Sequence, residues 1–189
     1  MKVLFDWFNC VWVFIHYVWF LGGFMQILIV DKSKLNTEIA REALIEAKLT
    51  DTIETCLSGE EALEFMSFNK VDLVLIDIIM PGLTGVDFLK ILDEKGWLKH
   101  SKVIMLTTID DLQILKECFE LGAVDYIHKP FNKIEFSVRV KSVLTGIERH
   151  NRLIKDKEQM DLKYNHLSHE NNQLKRINEI LRGKKLSEI

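Results

Sequence analysis

From residue 26 onward, short apolar runs alternate with longer segments in which apolar side chains recur every three or four positions. The runs at 27–30, 52–56, 73–76, 103–106 and 124–127 predict strands, and the periodic segments between them predict helices. Regular alternation of strand and helix predicts a mainly parallel sheet, because a parallel neighbour is reached only through a crossover. Right-handed crossovers then place helices on both faces.

Local signals punctuate the pattern. Ser33 is the expected N-cap of a helix whose apolar face carries Leu35, Ile39, Ala43 and Leu44. Ser58 opens Ser-Gly-Glu-Glu, a variant of the capping box. Gly85 leads into Val86, Phe88, Leu89 and Leu92, while Asp110 or Asp111 caps a helix with Leu112, Leu115 and Cys118 inward. Gly122 closes that helix as a C′ glycine. After Pro130, a helix starting near Asn132 presents Ile134, Val138, Val143, Leu144 and Ile147 to the core.

Beyond His150 the period changes. Leu153, Met160, Leu167, Leu174 and Leu181 fall on every seventh residue, with mostly charged and polar residues between them, as in a coiled-coil d seam. The companion seam holds Lys157, Tyr164, Asn171 and Asn178, which predicts a weak zipper of defined register. The expectation is a homodimer through 150–182; the alternative is a solvated single helix.

Residues 1–24 follow neither pattern. Trp7, Trp12 and Trp19 lie here among Phe and Val, and 3–24 has the ~20-residue length of a membrane span, although Asp6, Asn9 and His16 weaken insertion. Only Lys2 supplies a charged leader region and no small-x-small site follows, which argues against a secretory signal. Three readings stay open: an anchor, a buried extra element, or a misassigned start with Met25 the true beginning. The chain is thus divided into an apolar leader (1–24), an α/β domain (25–146) and a coiled-coil helix (147–189).

Composition adds exclusions. With 25 Lys+Arg against 28 Asp+Glu, the net charge of -3 gives no basis for direct nucleic-acid binding. Cys10, Cys56 and Cys118 are odd in number and far apart, which excludes a disulfide framework or zinc cluster and fits a reducing cytoplasm. Membrane contact is expected only if 1–24 is a real anchor.

The chemistry concentrates at 71–85. There an apolar strand runs into Asp77 and a Pro-Gly turn follows, which puts a carboxylate at the carboxyl end of a strand, where open α/β sheets hold ligands. Asp31, Thr107 and Lys129 fall at the ends of other strands along the same rim. This set suits phosphoryl transfer to a carboxylate: Asp77 accepts, Asp31 helps hold Mg²⁺, and Lys129 and Thr107 face phosphoryl oxygens.

Four stretches carry a resemblance: Ile-Leu-Ile-Val-Asp (27–31), Asp-Leu-Val-Leu-Ile-Asp-Ile-Ile-Met-Pro-Gly (72–82), Val-Ile-Met-Leu-Thr-Thr (103–108) and Gly-Ala-Val-Asp-Tyr-Ile-His-Lys-Pro-Phe (122–131). Over 25–146 the chain resembles the receiver domains of two-component response regulators. The resemblance implies a flavodoxin-like fold with strand order 2-1-3-4-5. It further implies Asp77 as the phosphorylated residue, Thr107 as the switch hydroxyl, Tyr126 as the rotating aromatic, Lys129 as the phosphate contact and the Ile79 carbonyl as a metal ligand. The implied donor is a histidine kinase or phosphotransfer protein, and the implied module is not itself an enzyme. The ending Leu-Arg-Gly-Lys-Lys-Leu-Ser-Glu-Ile is similar to the segment preceding GGDEF-type output domains.

One position departs. The family's pattern has two adjacent acids after the first strand, whereas Lys32 follows Asp31 here. Reduced Mg²⁺ affinity is expected, with either a slower acceptor or a Lys32–Asp77 pair that holds one state without phosphate. The latter is a phosphorylation-independent pseudo-receiver scaffold. A haloacid-dehalogenase-like phosphohydrolase is the enzyme alternative, and Ile79 stands where that family places its second acid. Ile79 and Ile109, both apolar, flank the acceptor and are expected to shield an acyl phosphate from water.

Overall fold

The computed structural model describes residues 25–49, 52–108 and 110–186, with side chains through residue 180. The leader 1–24, Ile109 and the side chain of Leu181 lie outside the described residues. Five strands form one sheet: β1 (Ile27–Val30), β2 (Ile53–Cys56), β3 (Leu73–Asp77), β4 (Lys102–Thr107) and β5 (Asp125–His128). Every pairing is parallel and the order is β2-β1-β3-β4-β5, the expected flavodoxin-like topology.

The helices are α1 (Lys34–Glu46), α2 (Gly59–Phe68), α3 (Gly85–Glu94), α4 (Leu112–Glu120) and α5 (Lys133–Leu186), with a 3₁₀ turn at Trp97–Lys99. β1 and β3 are buried along their whole length, as expected for central parallel strands covered on both faces, which read as unbroken apolar runs. The edge strands alternate: Glu54 in β2 and Tyr126 and His128 in β5 face outward. Polar or amphipathic side chains on an edge suit its exposed side.

Side-chain caps fix where the helices begin. Ser33 accepts from the Asn36 N–H and Ser58 from the Glu61 N–H. Glu61 in turn accepts from the Leu57 N–H at 2.8 Å, so the box closes on the residue before the cap. Asp111, not Asp110, caps α4 through the Gln113 N–H. At its far end Gly122 adopts φ 107°, a left-handed conformation suited to glycine, and the Ala123 N–H returns to the Cys118 carbonyl.

Three predicted helix faces are rotated from expectation. α1 buries Thr37, Ala40, Ala43 and Leu44, leaving Leu35 exposed. α4 buries Leu115 and Cys118 while Leu112 is 76% exposed. The first turns of α5 bury Phe136, Val140 and Leu144, with Ile134 and Val138 in solvent. In α1 small residues supply most of the buried face and let the helix approach the sheet closely, and in all three helices an apolar residue of the first turn, Leu35, Leu112 or Ile134, is exposed. Hydrophobicity alone selects the large side chains, whereas close packing selects the ones that fit. Phe136 is anchored further by stacking on Phe131 with centroids 4.4 Å apart.

The chain divides into two compact units between Leu144 and Thr145. The described residues of the second are helical, and Leu153, Met160, Leu167 and Leu174 among them are all exposed at seven-residue spacing. Among the described residues, no helix is long and apolar enough to cross a membrane.

Candidate functional site

Parallel pairing sets the carboxyl ends of β1, β3, β4 and β5 along one edge. Asp77 is the last residue of β3, Thr107 the last of β4, and Asp31 and Lys129 follow directly on β1 and β5. All four are buried, with Asp31 and Thr107 fully inaccessible. Buried ionised groups persist only when paired and hydrogen-bonded, and these are.

Asp31 is the most heavily engaged. It accepts from the Ser33 N–H at 2.8 Å, from the Asn36 side-chain amide at 3.2–3.3 Å, and from Lys129 Nζ at 2.5 Å. Lys129 also lies 3.3 Å from Asp77 Oδ1, so its ammonium bridges two carboxylates. Its own N–H donates to the Thr107 carbonyl at 2.7 Å, which fixes the β5 end against the β4 end. The following Lys129–Pro130 peptide is cis.

Asp77 is held from several sides. Oδ1 accepts from the Ile79 N–H at 3.2 Å and faces Lys129, while Oδ2 lies 3.8 Å from Lys32 Nζ. Lys32 also donates to the Ile79 carbonyl at 2.5 Å. Its side chain is 45% exposed, so it closes the site from the solvent side. The Ile79 side chain is exposed.

Mg²⁺ is implied by the resemblance at Asp31, Asp77 and the Ile79 carbonyl. That ion requires near-octahedral oxygen ligands at ~2.0–2.1 Å. Here the ammonium of Lys32 stands against two of the three donors, and Asp31 is occupied by Lys129, Ser33 and Asn36. Among the described residues there is no group of three or more His, Cys, Asp or Glu able to hold a metal. The donor set as arranged does not fit a divalent ion.

Tyr126 is displaced from this cluster, on the outer side of β5. Its ring meets Phe119 edge-on, with centroids 6.1 Å apart, beside an open groove of about 480 Å³ that Leu112, Leu115 and Lys116 also line.

Sequence reasoning read Gly85 only as the start of a helix and gave Asp72 no role, yet both bear on the site. Gly85 is the first residue of α3, capped by the Thr84 hydroxyl, and its N–H bonds the Ile78 carbonyl. A Cβ at Gly85 would lie 2.9 Å from Ile78 Cα and closer still to the Asp77 carbonyl. The glycine therefore lets α3 approach the backbone at Asp77; the signal available was a second glycine shortly after the Pro-Gly turn that follows Asp77. The second is Asp72, buried at the opposite end of β3, which accepts from the Gln26 N–H at 3.0 Å. Its place before an apolar run resembles a loop acid, and nothing local marks it as buried.

The described thiols, Cys56 and Cys118, are both buried. Burial, followed by the charges of Glu61 and Glu54, pushes Cys56 up to about 12, and burial likewise raises Cys118. Such thiols are inert near neutral pH.

Comparison with known proteins agrees with this fold. The family model described as response regulator receiver domain matches residues 27–141. The chain is 34% identical over 125 residues to the heme response regulator HssR of Staphylococcus epidermidis, covering 64% of this chain and 51% of that one. It is 30% identical to the response regulator PleD of Caulobacter vibrioides, over 62% of this chain and 26% of the relative. The chain thus spans about half or less of the length of these curated relatives. Among solved structures, the chemotaxis protein CheY4 of Vibrio cholerae superposes with a TM-score of 0.59 at 27% identity, covering 64% of this chain and 99% of that one.

Proposed function

The chain belongs to the response regulator receiver domain family, and on that premise we propose that it is a signalling module controlled by phosphorylation of Asp77. The observation that carries the reading is the Asp77 carboxylate at the end of β3, flanked by the ammonium groups of Lys129 at 3.3 Å and Lys32 at 3.8 Å. Phosphoryl transfer needs little covalent help and much charge neutralisation on the equatorial oxygens, which two fixed cations beside the nucleophile supply.

In the proposed step, an Asp77 oxygen attacks the phosphorus of a phosphohistidine on a histidine kinase or phosphotransfer protein. A P–O bond forms as the P–N bond breaks, and the ring nitrogen keeps the electron pair. With the other ring nitrogen protonated, the donor leaves as neutral imidazole. Lys129 and Thr107 then contact phosphoryl oxygens, and Tyr126 on the β5 edge responds to the change at Thr107. The apolar Ile79 side chain over Asp77 limits access of attacking water.

Output runs through the helical unit. Leu153, Met160, Leu167 and Leu174 offer a seam for a second copy, and burial of such side chains is what a long helix requires to persist. The Lys32–Asp77 contact favours a second reading, a scaffold held in one state without phosphate.

Intact-mass measurement after incubation with acetyl phosphate, alongside the Asp77→Asn variant, tests the proposal. A single phosphoryl adduct on the native chain and none on the variant supports an acceptor. No adduct on either supports the scaffold, and steady phosphate release from esters would point to a hydrolase.

A further inference from the structure

We infer that Lys32 is the resident cation of this site: its ammonium holds the place that a divalent ion would take beside Asp77, and excludes that ion. A cation at the acceptor needs the Asp77 carboxylate and the Ile79 carbonyl as ligands, and Lys32 Nζ already meets both, at 3.8 Å and 2.5 Å. The two contacts come from residues on either side of Ile78, so the ammonium is held in the concave turn that leaves β3.

The remaining acid is not available to draw a metal in. Asp31 is fully buried and accepts from a lysine, a backbone N–H and an amide. Two carboxylates, Asp31 and Asp77, face two ammoniums, Lys129 and Lys32, so the cluster is neutral without a metal. Adding a divalent ion would leave an excess of positive charge in a largely buried site, which is unfavourable. An ion that displaced Lys32 would have only Asp77, one carbonyl and water as evident ligands, the lower end of the one or two carboxylates that Mg²⁺ sites use.

Lys32 is also placed to act and not only to block. Asp77 Oδ1 is taken by Lys129 and the Ile79 N–H, and Oδ2 faces Lys32. With its side chain 45% exposed, the ammonium can meet an oxygen of an incoming phosphoryl group without leaving Oδ2. This consequence rests on Asp77 being an acceptor. With acetyl phosphate as donor, Oδ2 forms the new P–O bond, the donor's P–O bond breaks, and acetate leaves with the electron pair. No proton is exchanged.

The test combines calorimetric titration of the full chain with Mg²⁺ and adduct formation from acetyl phosphate in Mg²⁺ or in EDTA. Native protein, Lys32→Ala and Lys32→Asp are compared, with thermal melts to verify folding. Expected are no resolved Mg²⁺ binding by the native chain and clear binding by Lys32→Asp, an affinity gain at least as large as the ~10–100-fold that supporting ligand-shell groups provide. The native chain forms its adduct at the same rate in EDTA, whereas Lys32→Ala loses it in EDTA. Native binding of Mg²⁺ as tight as that of Lys32→Asp, or a native adduct abolished by EDTA, overturns the inference. If no protein forms an adduct but Lys32→Asp gains Mg²⁺ binding, the acceptor reading fails while Lys32 stands as the resident cation.

Discussion

Lys129 donates to Asp31 at 2.5 Å across 98 positions of sequence and stands 3.3 Å from Asp77, so one ammonium ties the ends of β1, β3 and β5 together. It is a structural tie as well as the proposed phosphate contact. Lys129→Ala leaves the fully buried Asp31 carboxylate without its cation, and loss of one member of a buried pair costs ~3–5 kcal/mol. Urea unfolding should show a loss of that order, and a loss within error of zero would mean that water takes over the pairing.

The two carboxylates differ in what depends on them. Asp31→Asn disturbs the Lys129 bridge and the Ser33 and Asn36 contacts, whereas Asp77→Asn leaves Lys129 paired with Asp31. Asp31→Asn is therefore the more destabilising in a denaturant melt, by ~1–3 kcal/mol, while Asp77→Asn is the one that removes the phosphoryl adduct.

Two glycines give opposite outcomes on conversion to alanine. At Gly85 the new methyl meets the backbone of Asp77 and Ile78, and overpacking of this kind costs ~1–3 kcal/mol. At Gly146, within α5, nothing lies within 4 Å, so Gly146→Ala stabilises by up to ~1 kcal/mol through helix propensity. Thermal melts of the pair read the sign directly.

Cys56 makes part of the alkaline limb of stability. Its folded pKa is raised to about 12 from an ordinary 9.0 by burial and by Glu61 and Glu54, so the unfolded chain loses the proton first. The stabilisation is complete below pH 9 and is lost as pH rises toward 12, at no more than ~1.4 kcal/mol per pH unit. Comparing pH 8 and pH 10.5 melts, Cys56→Ala should show a shallower decline than the native chain; parallel declines would refute the assignment.

The exposed seam in the helical unit sets a fourth contrast, in assembly. Leu167→Asp places a charge in the middle of the apolar positions Leu153, Met160, Leu167 and Leu174. Sedimentation of the native chain should be concentration-dependent and that of the variant monomeric, with the receiver unit still folded by circular dichroism. A monomeric native chain across the accessible concentration range would remove the dimer from the proposal.

The sheet was legible because central parallel strands are buried on both faces and so read as apolar runs; β1 and β3 fall where the pattern put them, β3 one residue longer, through Asp77. The rim followed, since strand ends fix Asp31, Thr107 and Lys129 once the topology is known. Helix faces were less legible, as Leu35, Leu112 and Ile134 illustrate: each is apolar yet exposed, because the fit between helix and sheet decides burial. For Lys32 the sequence pointed only to a pairing with Asp77. Its second contact, to the Ile79 carbonyl, depends on the path of the turn after β3, which side-chain pattern does not encode. Asp72 was hidden for a related reason, since its partner Gln26 lies far off in the chain, while the role of Gly85 depends on how the turn after β3 folds back on Asp77 and Ile78.

Asp72 immediately precedes the five-residue strand β3 and Asp77 ends it. By gripping the Gln26 N–H, Asp72 pins β3 beside β1 at the distal end, where Leu73 is paired with Ile27. A slip of a single residue would turn every side chain of β3 to the other face. The distal acid therefore works as a depth stop, setting how far the strand travels through the sheet before its last carboxylate emerges between two lysines.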